Sequence, residues 1–145
     1  MPRVGLLNFI LGFMTLFLAA SAGAFVSFDM TQAFLKDPEQ LHSWQLTLLA
    51  SAHGHTNLFG ILHILLGLTL PYSPLPEKFK YTQTFGLFLG VIAMGPLMLA
   101  KALGEPSESF DGLGLLIGFC LSASLATLAS HAASLSYKYM KRSAT

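Results

Sequence analysis

A chain of 145 residues that is 53% hydrophobic and only 10% charged does not carry the polar surface that a soluble domain of this length presents to water. Its formal net charge of +1, with no basic patch, phosphate-binding glycine loop or nucleophile-base motif, argues against nucleic-acid binding and against the usual nucleotide-binding and hydrolase classes. Lipid is the solvent this composition fits.

A spanning helix needs about 20 mostly apolar residues, and four runs qualify: residues 4–26, 44–70, 82–100 and 112–136. The predicted fold is all-α, an integral membrane four-helix antiparallel bundle forming a single domain over residues 1–145. Arg3 ahead of the first run and the small triplet Ala22-Gly23-Ala24 also fit a secretory signal, but the reading adopted is an uncleaved first span. The following segment, 27–43, contains a helix-start signal: Asp37 as a cap, Pro38 in the first turn, then Glu39 and Gln40. Trp44 stands where an amphipathic ring anchors at the headgroups, and Pro71 beside Tyr72 ends the second run. The third run contains Pro96, whose missing N–H predicts a kink and a freed carbonyl.

Each run has a stripe of small or polar residues at helical spacing, the sign in lipid of a face that meets another helix. The stripes are Gly5, Asn8, Gly12, Thr15 and Ala19; His53, Asn57, Gly60, Ile64 and Gly67; Gly86, Gly90 and Met94; and Cys120, Ser124, Thr127, His131 and Ser134. Cys120, the single cysteine, reads as a small buried hydrophobe, and Met94 and Met98 read as core fillers.

Charge sets the expected orientation. Arg3, Lys78, Lys80, Lys138, Lys141 and Arg142, with the acid Glu77, fall on one side of the runs. Asp29, Asp37, Glu39, Glu105, Glu108 and Asp111, with Lys36 and Lys101, fall on the other. Basic residues accumulate on the cytoplasmic side, so both termini are expected there. The expected location is multi-pass in a membrane, the bacterial inner membrane.

Five histidines are the most informative residues, because ionisable groups in a bilayer are costly and mark function. His42 lies outside the runs, while His53, His55, His63 and His131 lie within them. A neutral imidazole is a metal ligand and an axial haem ligand; the alternative is that such side chains hydrogen-bond across the bundle and bind nothing. At about 100° per residue, His53 and His55 project roughly 200° apart, and His63 falls about 80° from each, so one helix cannot bring them to one ion. His63 and His131 are each about 19 residues from the outer surface at roughly 1.5 Å per residue, which places them at one level with Asn8. Since His53 shares the stripe of small residues, His55 points away from it, toward another helix or another subunit.

The string His53-Gly54-His55-Thr56-Asn57-Leu58-Phe59-Gly60 resembles a segment in the second helix of haem-copper oxidase catalytic subunits, nearest to the nitric oxide reductase and cbb3-type branch. It is also similar to small membrane proteins with a His-x-His-x-Asn-Leu-x-Gly motif. The resemblance covers about 20 residues and implies that His55 is the axial ligand of a low-spin haem b; independently of it, His53 reads as a supporting donor or second-site ligand, with Asn57 one turn below to fix its ring by hydrogen bonding. The chain has four predicted spans where that family has about twelve, and lacks the paired histidines of its copper site, so the resemblance does not extend to oxygen or nitric oxide reduction. The expected function is a haem b-binding, cytochrome b-like membrane protein for electron transfer or small-gas sensing, at most a component of an oxidoreductase. His53, His55, Asn57, His63 and His131 are the candidate cofactor-binding residues, and the four histidines among them are the candidate metal ligands. Histidine-based copper or zinc binding is the alternative, followed by a cofactor-free channel, proton path or assembly factor. A second copy of the chain or another membrane subunit is expected to cover the His55 face.

Overall fold

The computed structural model describes residues 3–39, 43–106 and 111–143. The described residues are almost entirely helical, in four helices: α1 (Arg3–Lys36), α2 (Trp44–Thr69), α3 (Glu77–Ala102) and α4 (Gly112–Ser143). Three of these, α1, α3 and α4, are long and apolar enough to cross a membrane. Helix α2 has the same 26 residues as α3, but His53, His55, Asn57 and His63 lower its apolarity. Side chains such as Phe13, Phe17, Phe85, Phe119 and Leu125 are mostly exposed, an apolar outer surface of the kind lipid covers.

Helices α1 and α4 run past the expected spans. At about 1.5 Å per residue, the 34 residues of α1 are longer than a hydrocarbon core of about 30 Å. Its last turns, with Asp29 and Lys36, contain no proline or glycine that would end a helix at the membrane surface. The α2 start is at Ser43, whose Oγ accepts from the Leu46 N–H at 3.3 Å. Asp37 makes a shorter-range bond, its Oδ1 accepting from the Glu39 N–H at 3.2 Å. Gln40 and His42 lie outside the described residues. The α2 end is a 3₁₀ turn, Leu70–Tyr72, with Pro71 inside it.

Helix α3 contains one π-turn, Ala93–Leu97, built around Pro96. The proline cannot donate to the helical ladder, and the widened turn absorbs the defect.

Close approach of backbones joins α1 to α2. A Cβ on Gly12 would lie 2.6 Å from Ile64 Cγ1 and 2.8 Å from the Gly60 carbonyl oxygen; one on Gly67 would lie 2.9 Å from the Gly5 carbonyl oxygen. These pairs run in opposite senses along the two helices, so α1 and α2 are antiparallel. The α2–α3 contact runs antiparallel in the same way, with Phe59 seated on Gly90 and Thr56 facing Gly95. Between α3 and α4, Thr127 seats on Gly86, and the Ser124 hydroxyl donates to the Gly86 carbonyl at 2.8 Å. The four expected stripes are therefore the packing faces. Leu87, Ala93, Met94, Ile117 and Cys120 fill the core between them.

At the end of the bundle that holds the α2 start, Lys101 Nζ lies 2.8 Å from Asp111 Oδ2 and 5.9 Å from the centroid of the Trp44 ring. The hydrogen bond from Lys101 holds the Asp111 carboxyl below its usual range. At the opposite end, Lys138 Nζ donates to the Tyr72 carbonyl at 2.6 Å and Ser73 pairs with Ser134 at 3.0 Å, tying the α2–α3 connection to α4.

Candidate functional site

His53, His55, His63 and His131 fall into four separate settings. His63 is fully buried, and its Nδ1–H donates to Asn8 Oδ1 at 2.8 Å. Asn8 in turn donates from Nδ2 to the Thr84 hydroxyl at 2.7 Å and to the Val4 carbonyl at 2.9 Å. Thr84 passes its own hydrogen to the Lys80 carbonyl at 3.0 Å. The chain of bonds joins α1, α2 and α3 and fixes the His63 tautomer, which leaves Nε2 bare. That atom is buried without a hydrogen-bond partner, with the Phe88 ring edge-on at 6.3 Å between centroids.

His131 sits in a second network. Its Nε2 pairs with the Thr69 hydroxyl at 2.8 Å and its Nδ1 with Gln83 Oε1 at 3.2 Å. An amide oxygen only accepts, so the His131 Nδ1–H donates to Gln83, and Nε2 of the neutral ring accepts from the Thr69 hydroxyl, which is shared with the Leu65 carbonyl at 2.8 Å. Gln83 then donates from Nε2 to Ser130 at 3.1 Å. His63 and His131 share a level, as expected, because Thr84 and Gln83 are chain neighbours, yet each ring is tied into its own network. Both His131 nitrogens are engaged. Gln83 and Thr84, which complete these networks, are missing from the sequence reading, although Gln83, three residues before Gly86, continues the Gly86–Gly90 stripe; Thr84 lies off it.

His53 lies on the wall of an apolar cavity of about 390 Å³ between α1, α2 and α3. Its Nδ1–H donates to the Ala19 carbonyl at 2.9 Å, and the ring lies against Gly23, where any side chain would collide with it. Asn57, one turn on, donates to the His53 carbonyl at 3.1 Å and holds its Nδ2 at 3.3 Å from both ring nitrogens. With Nδ1–H committed to Ala19, Nε2 is the ring's acceptor and has the Asn57 amide at 3.3 Å.

His55 is exposed on the opposite face of α2. Its Nδ1–H donates to the Ser51 carbonyl at 2.9 Å, with the Ser51 hydroxyl at 3.4 Å. The bond locks the ring to its own helix and aims Nε2 outward. Gly54 beside it is bare, with no atom within 4 Å of where a Cβ would stand.

His55 and His63 thus donate Nδ1–H to an oxygen and keep Nε2 as a bare lone pair, the orientation and tautomer typical of ligating histidines, and His53 has the same tautomer with Asn57 at its Nε2. His131 also donates Nδ1–H, with Thr69 at its Nε2. Among the described residues, no three His, Cys, Asp or Glu side chains converge as a metal-binding group. Met94 is buried in the core, as a filler there, on a different side of α2 from His55. No protein-family model, curated protein or solved structure matches the chain.

Proposed function

We propose that this chain is a haem b-binding, cytochrome b-like protein that crosses the membrane four times with both termini on the cytoplasmic side, and that His55 is its axial ligand. The observation that carries the reading is the His55 imidazole itself: held by Ser51 in the Nδ1–H tautomer, it turns a bare Nε2 to the outside of the bundle. About 11 residues below Trp44, at roughly 1.5 Å per residue, it stands near mid-membrane. An imidazole left facing hydrocarbon there is costly, and an iron atom removes that cost. The bare surface at Gly54 lets a flat macrocycle lie close to the helix, so the residues present fit a haem edge.

One helix supplies one ligand. His55 of another copy would supply a second nitrogen, so that a haem held between the two would belong to a homodimer interface and would cover the exposed faces of both α2 helices. A bound haem supplies one-electron and gas-binding chemistry; Ser51 orients the ligand and raises its basicity. The copper or zinc alternative would use the same pair of outward nitrogens.

The test is a visible spectrum with metal analysis on protein expressed with ample haem. A Soret band that is lost in His55→Ala is the expected result. Stoichiometric copper or zinc without a Soret band selects the alternative, and a colourless, metal-free wild-type protein overturns both.

A further inference from the structure

Basic residues outnumber acids at the end of the bundle that holds the α2–α3 connection. Arg3, Lys78, Lys80, Lys138, Lys141 and Arg142 stand there with Glu77 as the one acid. Lys80 takes Glu77, its Nζ 3.7 Å from Oε1, and Lys138 donates to the Tyr72 carbonyl at 2.6 Å. Lys78, exposed in the first turn of α3, makes neither kind of contact among the described residues. A cation left without a protein partner at a membrane surface attracts anionic headgroups.

One turn along from Lys78, α3 and α4 part to leave a groove of about 350 Å³, walled by Phe79, Thr82 and Gln83 of α3 and Ala126, Thr127 and Ser130 of α4. The Thr82 hydroxyl donates to the Lys78 carbonyl at 3.2 Å. A helical threonine commonly donates in this way to the carbonyl four residues back, as Thr31, Thr69 and Thr84 also do. Thr127, 8% exposed, makes no side-chain hydrogen bond among the described residues. Thr56 Oγ1, also unpaired, is sealed in; Thr127 Oγ1 is not, so its hydrogen is open to the groove. Gln83, 5% exposed, has a second donor there. Its Oε1 is taken by His131 and one amide hydrogen by Ser130 at 3.1 Å, which leaves the other hydrogen of the amide free.

Spare donors on the wall call for an occupant that brings acceptors, and the ammonium above them calls for negative charge. From Lys78 to Gln83 is about 8 Å along α3, at roughly 1.5 Å per residue, with Thr127 deeper still, beside Gly86. Toward the other end of α4, Ser122 and Gly118 follow Ala126 at four-residue spacing on the exposed side, and Gly118 has no atom within 4 Å of where a Cβ would stand. That is a shallow track for an acyl chain. Charge, acceptors and chain in this order along the helices are the parts of a membrane lipid. We infer that the groove between α3 and α4 binds one anionic glycerophospholipid, its phosphate at Lys78 and its ester carbonyls accepting from Gln83 and Thr127. The site lies away from His55 and stands whether or not a haem is bound.

The test uses the full chain, delipidated in mild detergent, with dioleoyl phosphatidylglycerol and dioleoyl phosphatidylcholine as probes and native mass spectrometry as the readout. One phosphatidylglycerol per chain should be retained, at about fivefold lower concentration than phosphatidylcholine, the worth of one lysine at a membrane surface. Lys78→Gln, at an exposed position, should remove that preference and leave phosphatidylcholine binding as it was. Thr127→Val, nearly the same shape, should weaken both lipids about fivefold, the worth of one hydrogen bond. Ala126→Phe, which fills the groove from the exposed side of α4, should abolish retention while circular dichroism still reports a helical protein. Equal affinity of the wild type for the two lipids overturns the anionic assignment, as does a preference that survives Lys78→Gln. Retention unaltered in Thr127→Val or in Ala126→Phe overturns the groove as the place of binding.

Discussion

His63 Nδ1 and Asn8 Oδ1, 55 residues apart in the chain, share a 2.8 Å hydrogen bond with both side chains fully buried. Asn8 also donates to Thr84, so one amide holds α1, α2 and α3 together at the level where the sequence places both residues. Intramembrane hydrogen bonds of this kind average about 0.6 kcal/mol and reach about 1.7. Asn8→Ala should lower thermal stability in detergent, and because it strands the His63 Nδ1–H its effect should lie at the upper end of that range. The cycle that adds His63→Leu should give a coupling of about 1 kcal/mol. Additive losses would mean that the bond contributes nothing.

The glycines of the α1–α2 contact are distinguishable from those outside it. A methyl group on Gly12 meets Ile64 at 2.6 Å and the Gly60 carbonyl oxygen at 2.8 Å, and the backbone oxygen cannot move aside; one on Gly118 meets nothing within 4 Å. Gly12→Ala should destabilise by about 1–3 kcal/mol, as overpacking does. Gly118→Ala should be neutral or stabilise by up to about 1 kcal/mol, through helix propensity alone. Thermal melts of the two variants side by side check the contrast. Equal effects would place α1 and α2 farther apart than described.

These examples also show how much of the molecule the sequence contains. The stripes Asn8-Gly12-Thr15-Ala19 and Cys120-Ser124-Thr127-His131-Ser134 are buried as spaced, because a small or polar face in an apolar helix has no other use in lipid. Helix ends are less legible: α1 continues to Lys36, since a chain leaving the membrane has no reason to stop being helical until a breaker or a cap intervenes. The opposite facing of His53 and His55 follows from 100° per residue alone. Which nitrogen each ring frees does not, because it depends on long-range or local carbonyls: Ala19 for His53, Ser51 for His55. The pairing of His131 with Gln83 is tertiary as well: Gln83 stands three residues before Gly86 on the packing face of α3, but no spacing says which residue it meets. The cavity between α1, α2 and α3 has Gly95 and Pro96 of the π-turn in its wall; the proline was legible in the sequence and the cavity was not.

Acid should uncouple the end of the bundle that holds the α2 start. Asp111 is held below its usual pKa of 3.8, chiefly by the hydrogen bond from Lys101, which also faces the Trp44 ring. For a depressed carboxylate, the stabilisation is complete above the unfolded-state pKa and disappears as pH falls through the folded value. Trp44 emission should therefore be flat from neutral pH down to about 4 and change only below it. Asp111→Asn should have no such transition. A wild-type transition centred well above the ordinary carboxylate range would contradict the assignment.

The proposed orientation predicts an accessibility pattern. In a Cys120→Ala background, cysteines introduced at Glu39 and Glu105 should react with a membrane-impermeant maleimide from outside, while those at Lys78 and Lys141 should react only after the membrane is opened. The reverse pattern would invert the topology. Outside labelling at both Glu105 and Lys78 would remove α3 as a spanning helix.

The cofactor prediction separates the histidines by which nitrogen each has free. His55 keeps an outward Nε2 and is fixed by Ser51 within its own helix, so His55→Ala should abolish the Soret band, and the apoprotein should run as a monomer in mild detergent. His131 has both nitrogens engaged by Thr69 and Gln83, so His131→Ala should leave the spectrum in place and lower only stability. His63 has a free Nε2, but it is enclosed in the core; His63→Ala should likewise retain haem. Ser51→Ala removes the hydroxyl and keeps the carbonyl that orients the ring, so its haem content should be near that of the wild type. Six-coordinate spectra in the wild-type dimer, converting to five-coordinate in mixed dimers with one His55→Ala chain, would identify the second ligand as the same residue of the other copy. If His63→Ala or His131→Ala instead converts or bleaches the spectrum while His55→Ala is silent, the iron lies inside the bundle and the His55 assignment is wrong.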